Sequence, residues 1–285
     1  MIWDLREVTG GRVYIPGRPE SRDEHRGEAP RTNTAAGPAE EGPMQIDIRY
    51  QPSYSLAIVG LGAEESVQAE SGAMVSMSSN IEIKTGMKGG VLGAITRSVL
   101  GGETLFANTF TSRGGAGEIT LAPSLPGDIT ALTMRDETLY VQSGSFLASA
   151  PEVNLDLQWG GARTFFGSEG LFLLRATGSG PVILCSYGAI HKVTIDGTRP
   201  YIVDTGHVVA FTQGLGFDVR KVGGWKSTLL SGEGLVCEFR GQGDLYLQTR
   251  STQAFLSWLI PRIPTRSGGG GGGPSGILGN ILGGD

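Results

Sequence analysis

Cysteine is almost missing from this sequence: only Cys185 and Cys237 occur in 285 residues. Two are too few for a disulfide framework. Both sit in apolar, strand-like runs, which suits buried thiols in a reducing compartment, although spacing alone leaves open whether they pair. Aromatic residues make up only 7% of the chain and histidine occurs three times. No GxSxG, HExxH, CxxC or phosphate-loop pattern is present, so the common hydrolase, metalloprotease, redox and nucleotide-binding classes have no foothold. No apolar run reaches the roughly 18 residues that a membrane span requires. No charged-then-apolar leader opens the chain. Positive charge is in short supply too, with 23 Lys and Arg against 28 Asp and Glu, a net charge of −5. That balance argues against attraction to phosphate backbones, so nucleic acid is not a favoured partner.

Glycine is abundant, at 47 residues. It punctuates short apolar runs, as tight turns between strands would. Residues 1–43 stand apart, because Pro16 to Pro43 is rich in Arg, Glu, Pro and Ala and nearly devoid of large apolar side chains. Such a segment cannot bury enough surface to offset its chain entropy and is expected to be a disordered arm. Alternation then begins at Met44 with Ile46, Ile48 and Tyr50, so the folded part is expected to start there and run to about 262. Residues 263–285 read as a flexible tail built around the glycine run 268–273, with a short apolar tag at Ile277–Leu282.

Between these ends the sequence repeats itself. A strand entering a glycine turn reads Val67 to Val75, then Val141 to Leu147, then Val203 to Val209. A Glu-x-Leu marker follows at Glu103, Glu169 and Glu233, and a Gly-led strand at Gly117, Gly180 and Gly243. Gly127-Asp128-Ile129 matches Gly188-Ala189-Ile190 as a fourth marker in two copies. The repeats are expected at about 54–126, 127–187 and 188–250. Inside them Ile81 and Ile83; Val153, Leu155 and Leu157; and Phe217 and Val219 alternate with polar residues at the strand period of two. The fold class is therefore all-β: three β-rich repeats in an antiparallel sandwich or prism around a pseudo-threefold axis. Helix is expected only at Ser251–Ile260.

The run Gly89-Gly90-Val91-Leu92 through Arg97, Gly101-Gly102-Glu103 and Phe106, with the later Val203-Asp204-Thr205-Gly206-His207, resembles the mitochondrial-biogenesis family called altered inheritance of mitochondria, the bacterial branch more closely. The resemblance covers about residues 44–262. It implies a β-sandwich similar to the tryptophan RNA-binding attenuation protein. It also implies a role for eukaryotic members at the inner mitochondrial membrane without established catalysis, and no defined biochemical activity for bacterial members.

Three groups of residues are candidates for function. The first repeat carries an insertion, 86–102, in which Val91, Leu92, Ile95, Val99 and Leu100 fall at helical spacing beside Lys88 and Arg97. It reads either as a loop folded into the core or as an amphipathic contact with a partner or an anionic membrane. Glu103, Glu169 and Glu233 would meet near a threefold axis, as an oxygen-rich cation site or, more simply, as turn caps and ion-pair partners. His207 replaces Ala73 and Ser145 at the matching turn with Asp204 close by, an asymmetry that marks a site or merely a different turn. A catalytic histidine needs a nucleophile or metal in reach, and none is advertised. The expectation is a non-enzymatic, cytoplasmic scaffold without metal or cofactor. It would bind an unknown protein or lie peripheral to a membrane, as a homo-oligomer. The alternative is a module holding a small molecule or RNA between repeats.

Overall fold

The computed structural model describes residues 44–85, 107–157, 172–221 and 235–263. The expected arm, the insertion 86–102, the three marker glutamates Glu103, Glu169 and Glu233, and the tail beyond 263 lie outside the described residues.

The described chain is all-β with one short helix. In chain order it forms β1 (Gln45–Arg49), β2 (Leu56–Leu61), β3 (Ser66–Glu70), β4 (Met74–Met77), β5 (Ile81–Thr85), β6 (Ala107–Ser112) and β7 (Gly117–Leu121). Next come β8 (Ile129–Gln142), β9 (Phe146–Ser149), β10 (Asn154–Leu157) and β11 (Leu173–Cys185). The rest is β12 (Ile190–Asp196), β13 (Tyr201–Asp204), β14 (Val208–Thr212), β15 (Leu215–Lys221), β16 (Leu235–Gln248) and the helix α1 (Thr252–Leu259). One sheet has the order β1-β2-β7-β4, and a larger one runs β12-β16-β14-β8-β11-β9-β3-β6-β5, with β10, β13 and β15 joined at its side. Every ladder between these strands is antiparallel. None of the described helices is long and apolar enough to cross a membrane, which says nothing about crossing by strands.

Alternating side chains explain why these segments are strands. In β2, Ala57, Val59 and Leu61 are fully buried while their neighbours are half-buried, and Val67 and Ala69 do the same in β3. A side chain of this kind contributes roughly 1.5–3 kcal/mol when fully buried, if it is as large as valine or leucine. Val153 and Leu155 are buried as their spacing implies, but Ile83 is 40% exposed although Ile81 is only 6% exposed. β5 is the edge of the large sheet among the described residues, with β6 as its one neighbouring strand there.

The core falls into three clusters. The first gathers Val59, Leu61, Phe110, Ile119, Leu121 and Ile129. The second holds Val141, Phe146, Leu155, Leu174 and Val182, and the third Leu173, Phe211, Cys237, Phe239 and Leu245. Few as they are, the aromatics concentrate in the third, where Phe211 stacks on Tyr140 at 5.1 Å and meets Phe239 edge-on at 5.1 Å. Cys185 lies in the first cluster and Cys237 in the third, and they form no disulfide.

Where the clusters meet, Gly127 and Gly188 touch in the one isolated parallel bridge among the described residues. A Cβ on Gly127 would lie 1.6 Å from the Ser186 carbonyl oxygen, so only glycine fits. Gly188 has φ +77°, a left-handed conformation that also favours glycine. Beside them the buried Asp128 collects donors from distant segments. Its Oδ1 accepts from Ser55 Oγ at 3.1 Å, Gln51 Nε2 at 3.1 Å and its neighbour Ile129 N at 2.9 Å, and its Oδ2 from Ile190 N at 3.4 Å. Its main chain joins the same seam, with the amide donating to Gly188 O at 2.9 Å and the carbonyl accepting from Ser186 N at 3.0 Å. Removing a buried acceptor leaves its donors desolvated and unpaired. Asp128→Ala is therefore expected to lower unfolding free energy by about 2–4 kcal/mol, read from the urea midpoint at unchanged m-value.

Candidate functional site

Two of the glycine turns singled out in the sequence are short 3-10 turns, at Ser143–Ser145 and Thr205–His207. Each is stabilised by the polar residue two places before its glycine. Gln142 Oε1 accepts from Ser145 Oγ at 3.0 Å, and Asp204 Oδ1 accepts from Gly206 N at 2.9 Å. The first turn, around Gly72, takes another route: Gly72 has φ +87° and Ala73 N donates to Glu70 O at 3.2 Å. Asp204 and His207 thus make separate contacts. Asp204 caps its turn, while His207 Nδ1 lies 2.7 Å from Gln248 O.

Each turn is held by the end of the strand that returns to it. Ala122 N donates to Ala73 O at 2.9 Å, Cys185 Sγ sits 3.8 Å from Gly144 O, and Gln248 Nε2 donates to Gly206 O at 2.8 Å. Gln248 uses its other end as well, since Oε1 accepts from Tyr187 N at 2.9 Å. The turns and strand ends enclose a cavity of about 300 Å³ with Glu70, Gln142, Gly144, Cys185 and Gly206 in its wall. This lies at the small end of the usual range for ligand pockets.

Helix α1 forms one side of the cavity through Thr252, Gln253 and Leu256. Ser251 Oγ caps it by accepting from Ala254 N at 3.4 Å. Gly206 permits this close approach, because a Cβ there would come within 2.7 Å of Ser251 Oγ. Phe255 meets Tyr187 edge-on at 5.9 Å, yet no residue of the helix is fully buried. Leu256 is 40% exposed and Trp258 54%, and the Arg262 guanidinium lies 4.8 Å above the Trp258 ring. Of the apolar residues Phe255, Leu256 and Leu259, the first and last are half-buried and Leu256 is exposed.

Burial, and secondarily the charge of Glu70, pushes the Cys185 thiol well above its ordinary range. A thiol is nucleophilic only as thiolate, so Cys185 is held in its inert form at neutral pH. Among the described residues no group of three or more His, Cys, Asp or Glu is arranged to hold a metal ion.

The comparisons identify the kindred of this architecture. A family model described as "Mitochondrial biogenesis AIM24" matches residues 46–250. The chain belongs to this family. It is similar to an uncharacterized protein of Streptococcus pyogenes serotype M6, with 32% identity over 232 residues covering 79% of this chain and 93% of the relative. A crystal structure of a Streptococcus pyogenes protein is similar too, at 30% identity and a TM-score of 0.66, covering 78% of this chain and 100% of that one.

The sequence reading did not assemble this cavity. The sequence marks it only through Glu70 and Gln142, polar residues two places before a marker glycine, and the strand ends at Cys185 and Gln248 carry no motif. Because the Cys185 thiol stays protonated, a disulfide reagent at pH 8 should label it about a hundredfold more slowly than a model thiol. Peptide mapping after urea unfolding should show full labelling at the same residue.

Proposed function

We propose that the chain is a non-enzymatic β scaffold of three related units that binds a small molecule in the cavity between them. The observation carrying this reading is that corresponding turns from all three stretches of sequence reach one cavity: Glu70 from the first, Gln142 and Gly144 from the second, Gly206 from the third. The strand pairing supports the three-unit description. β11 pairs β10 along Leu174–Thr177 and β9 along Val182–Leu184, and β16 pairs β15 along Leu235–Gly241 and β14 along Leu245–Leu247. In the first stretch the same job is divided between β6, which pairs β3 and β5, and β7, which pairs β2 and β4. A pseudo-threefold sandwich similar to the tryptophan RNA-binding attenuation protein is the arrangement this pattern favours.

No step of catalysis enters this reading. The cavity offers hydrogen-bonding groups and an inert thiol, which suit recognition rather than bond making. Leu125, half-buried in the cavity wall, is a position where added bulk fills the space without entering a core cluster. Native mass spectrometry of the full chain from its host should therefore find a small-molecule adduct that Leu125→Trp removes at unchanged melting temperature. An adduct that persists in Leu125→Trp would place the ligand elsewhere.

A second reading, docking onto a protein or membrane surface, is favoured by the outer face of α1. Trp258, Ile260 and Ile263 are 44–54% exposed there, beside Arg262. Apolar side chains flanked by arginine suit an interface with anionic lipid. Under this reading wild-type protein floats with vesicles containing anionic lipid, and Trp258→Glu with Ile260→Glu abolishes flotation while far-UV circular dichroism is unchanged.

A further inference from the structure

The chemistry of the cavity wall goes further than its shape. Its polar side chains are one carboxylate, Glu70; three carboxamides, Gln142, Gln248 and Gln253; and the hydroxyls of Ser124, Ser186, Ser251, Thr252 and Tyr187. No lysine, arginine or histidine is among the described lining residues. Leu125 and Leu256 add apolar surface to the wall. Resting on the reading of the cavity as a binding site, we infer that its ligand is a small organic cation, an ammonium- or guanidinium-bearing molecule, with its charge toward Glu70 and its carbon skeleton against Leu125 and Leu256.

Three arguments lead there. The wall is rich in acceptors: the Glu70 carboxylate, the turn carbonyls of Gly144 and Gly206, and the hydroxyl oxygens. An ammonium has donors and no acceptor, so it matches such a wall. A carboxylate offers about four lone-pair positions, so accepting from a ligand does not require that Glu70 lack other contacts. The second argument is exclusion. A phosphate, a carboxylate or an RNA backbone would bring negative charge beside Glu70 into a partly dry space whose described lining carries no cation, which is costly. The third is that the Glu70 charge already acts inside the cavity, where it helps hold the Cys185 thiol protonated. Gln248 is not a ligand group in this scheme, because both ends of its amide are engaged by Gly206 and Tyr187. Gln142 spends its oxygen on Ser145, and its amide nitrogen has no partner among the described residues, so it is the donor left for a hydroxyl or carbonyl of the ligand.

The test uses the full chain and matched probes: agmatine, spermidine and choline as cations, erythritol as a neutral polyol, phosphate and succinate as anions. Saturation-transfer NMR reads binding and differential scanning fluorimetry reads stabilisation. At least one cation should bind, the anions should not, and Leu125→Trp should abolish the signal. Glu70→Gln should weaken cation binding by about tenfold, the scale of one lost ion pair in a partly shielded site. Should Glu70→Gln disturb folding, Ser124→Lys gives the same information, since it sets an ammonium at the exposed rim and should weaken cations by a similar factor. Binding of erythritol or an anion that Leu125→Trp abolishes would retain the cavity and overturn the cation. Cation binding that survives Leu125→Trp would overturn the cavity itself, and failure of all three cations to bind overturns the cation inference.

Discussion

The carboxylate of Asp128 is the meeting point on which the rest of the molecule depends. It is 8% exposed and takes hydrogen bonds from Gln51 and Ser55 on one side and Ile190 on the other. A charge so placed is tolerated only when its acceptor positions are filled. The donors come from positions up to 77 residues away in sequence, so the site exists only after the β sheets have closed. Gly127 lets the two main chains approach at this seam, and the bridge to Gly188 fixes their relative height. Hydrophobic burial supplies most of the drive to collapse, but it is non-directional. The Asp128 network is what sets one register among the apolar strands.

The same seam positions the cavity. Ser186, which bonds Asp128, is followed by Tyr187, whose amide is held by Gln248 and whose carbonyl accepts from Arg250 N at 3.2 Å. Arg250 and Ser251 then deliver α1 to the cavity wall. A chain of polar contacts thus leads from the core junction to the helix that borders the cavity. α1 buries no residue fully, so few apolar contacts hold it in place. The exposed Trp258 and the cavity-lining Leu256 belong to one short helix.

Much of the fold is legible in residue order. Period-two alternation marks β1, β5, β10 and β15, the glycine markers fall at the turns around Gly144 and Gly206, and the Ser251 cap with its apolar segment marks α1. The candidate site was only half legible. His207 stands out by breaking the pattern and Asp204 lies close by, yet Asp204 closes a turn and His207 holds Gln248 O, roles that any polar residue with the right reach can fill. The cavity residues Cys185 and Gln248 gave no warning, because a strand end looks the same whether it faces solvent or a pocket.

Sequence by itself determined that the chain is β-rich, antiparallel and without the common catalytic motifs, since alternation and glycine placement are local properties carried by neighbouring residues. It also determined the family, through ordered motifs spread over residues 46–250. Only the tertiary structure decided that Asp128 gathers donors from separate strands and that Glu70, Gln142 and Gly206 share one cavity. These are contacts between residues more than 60 positions apart, and which strand end meets which turn depends on how the sheets close in space.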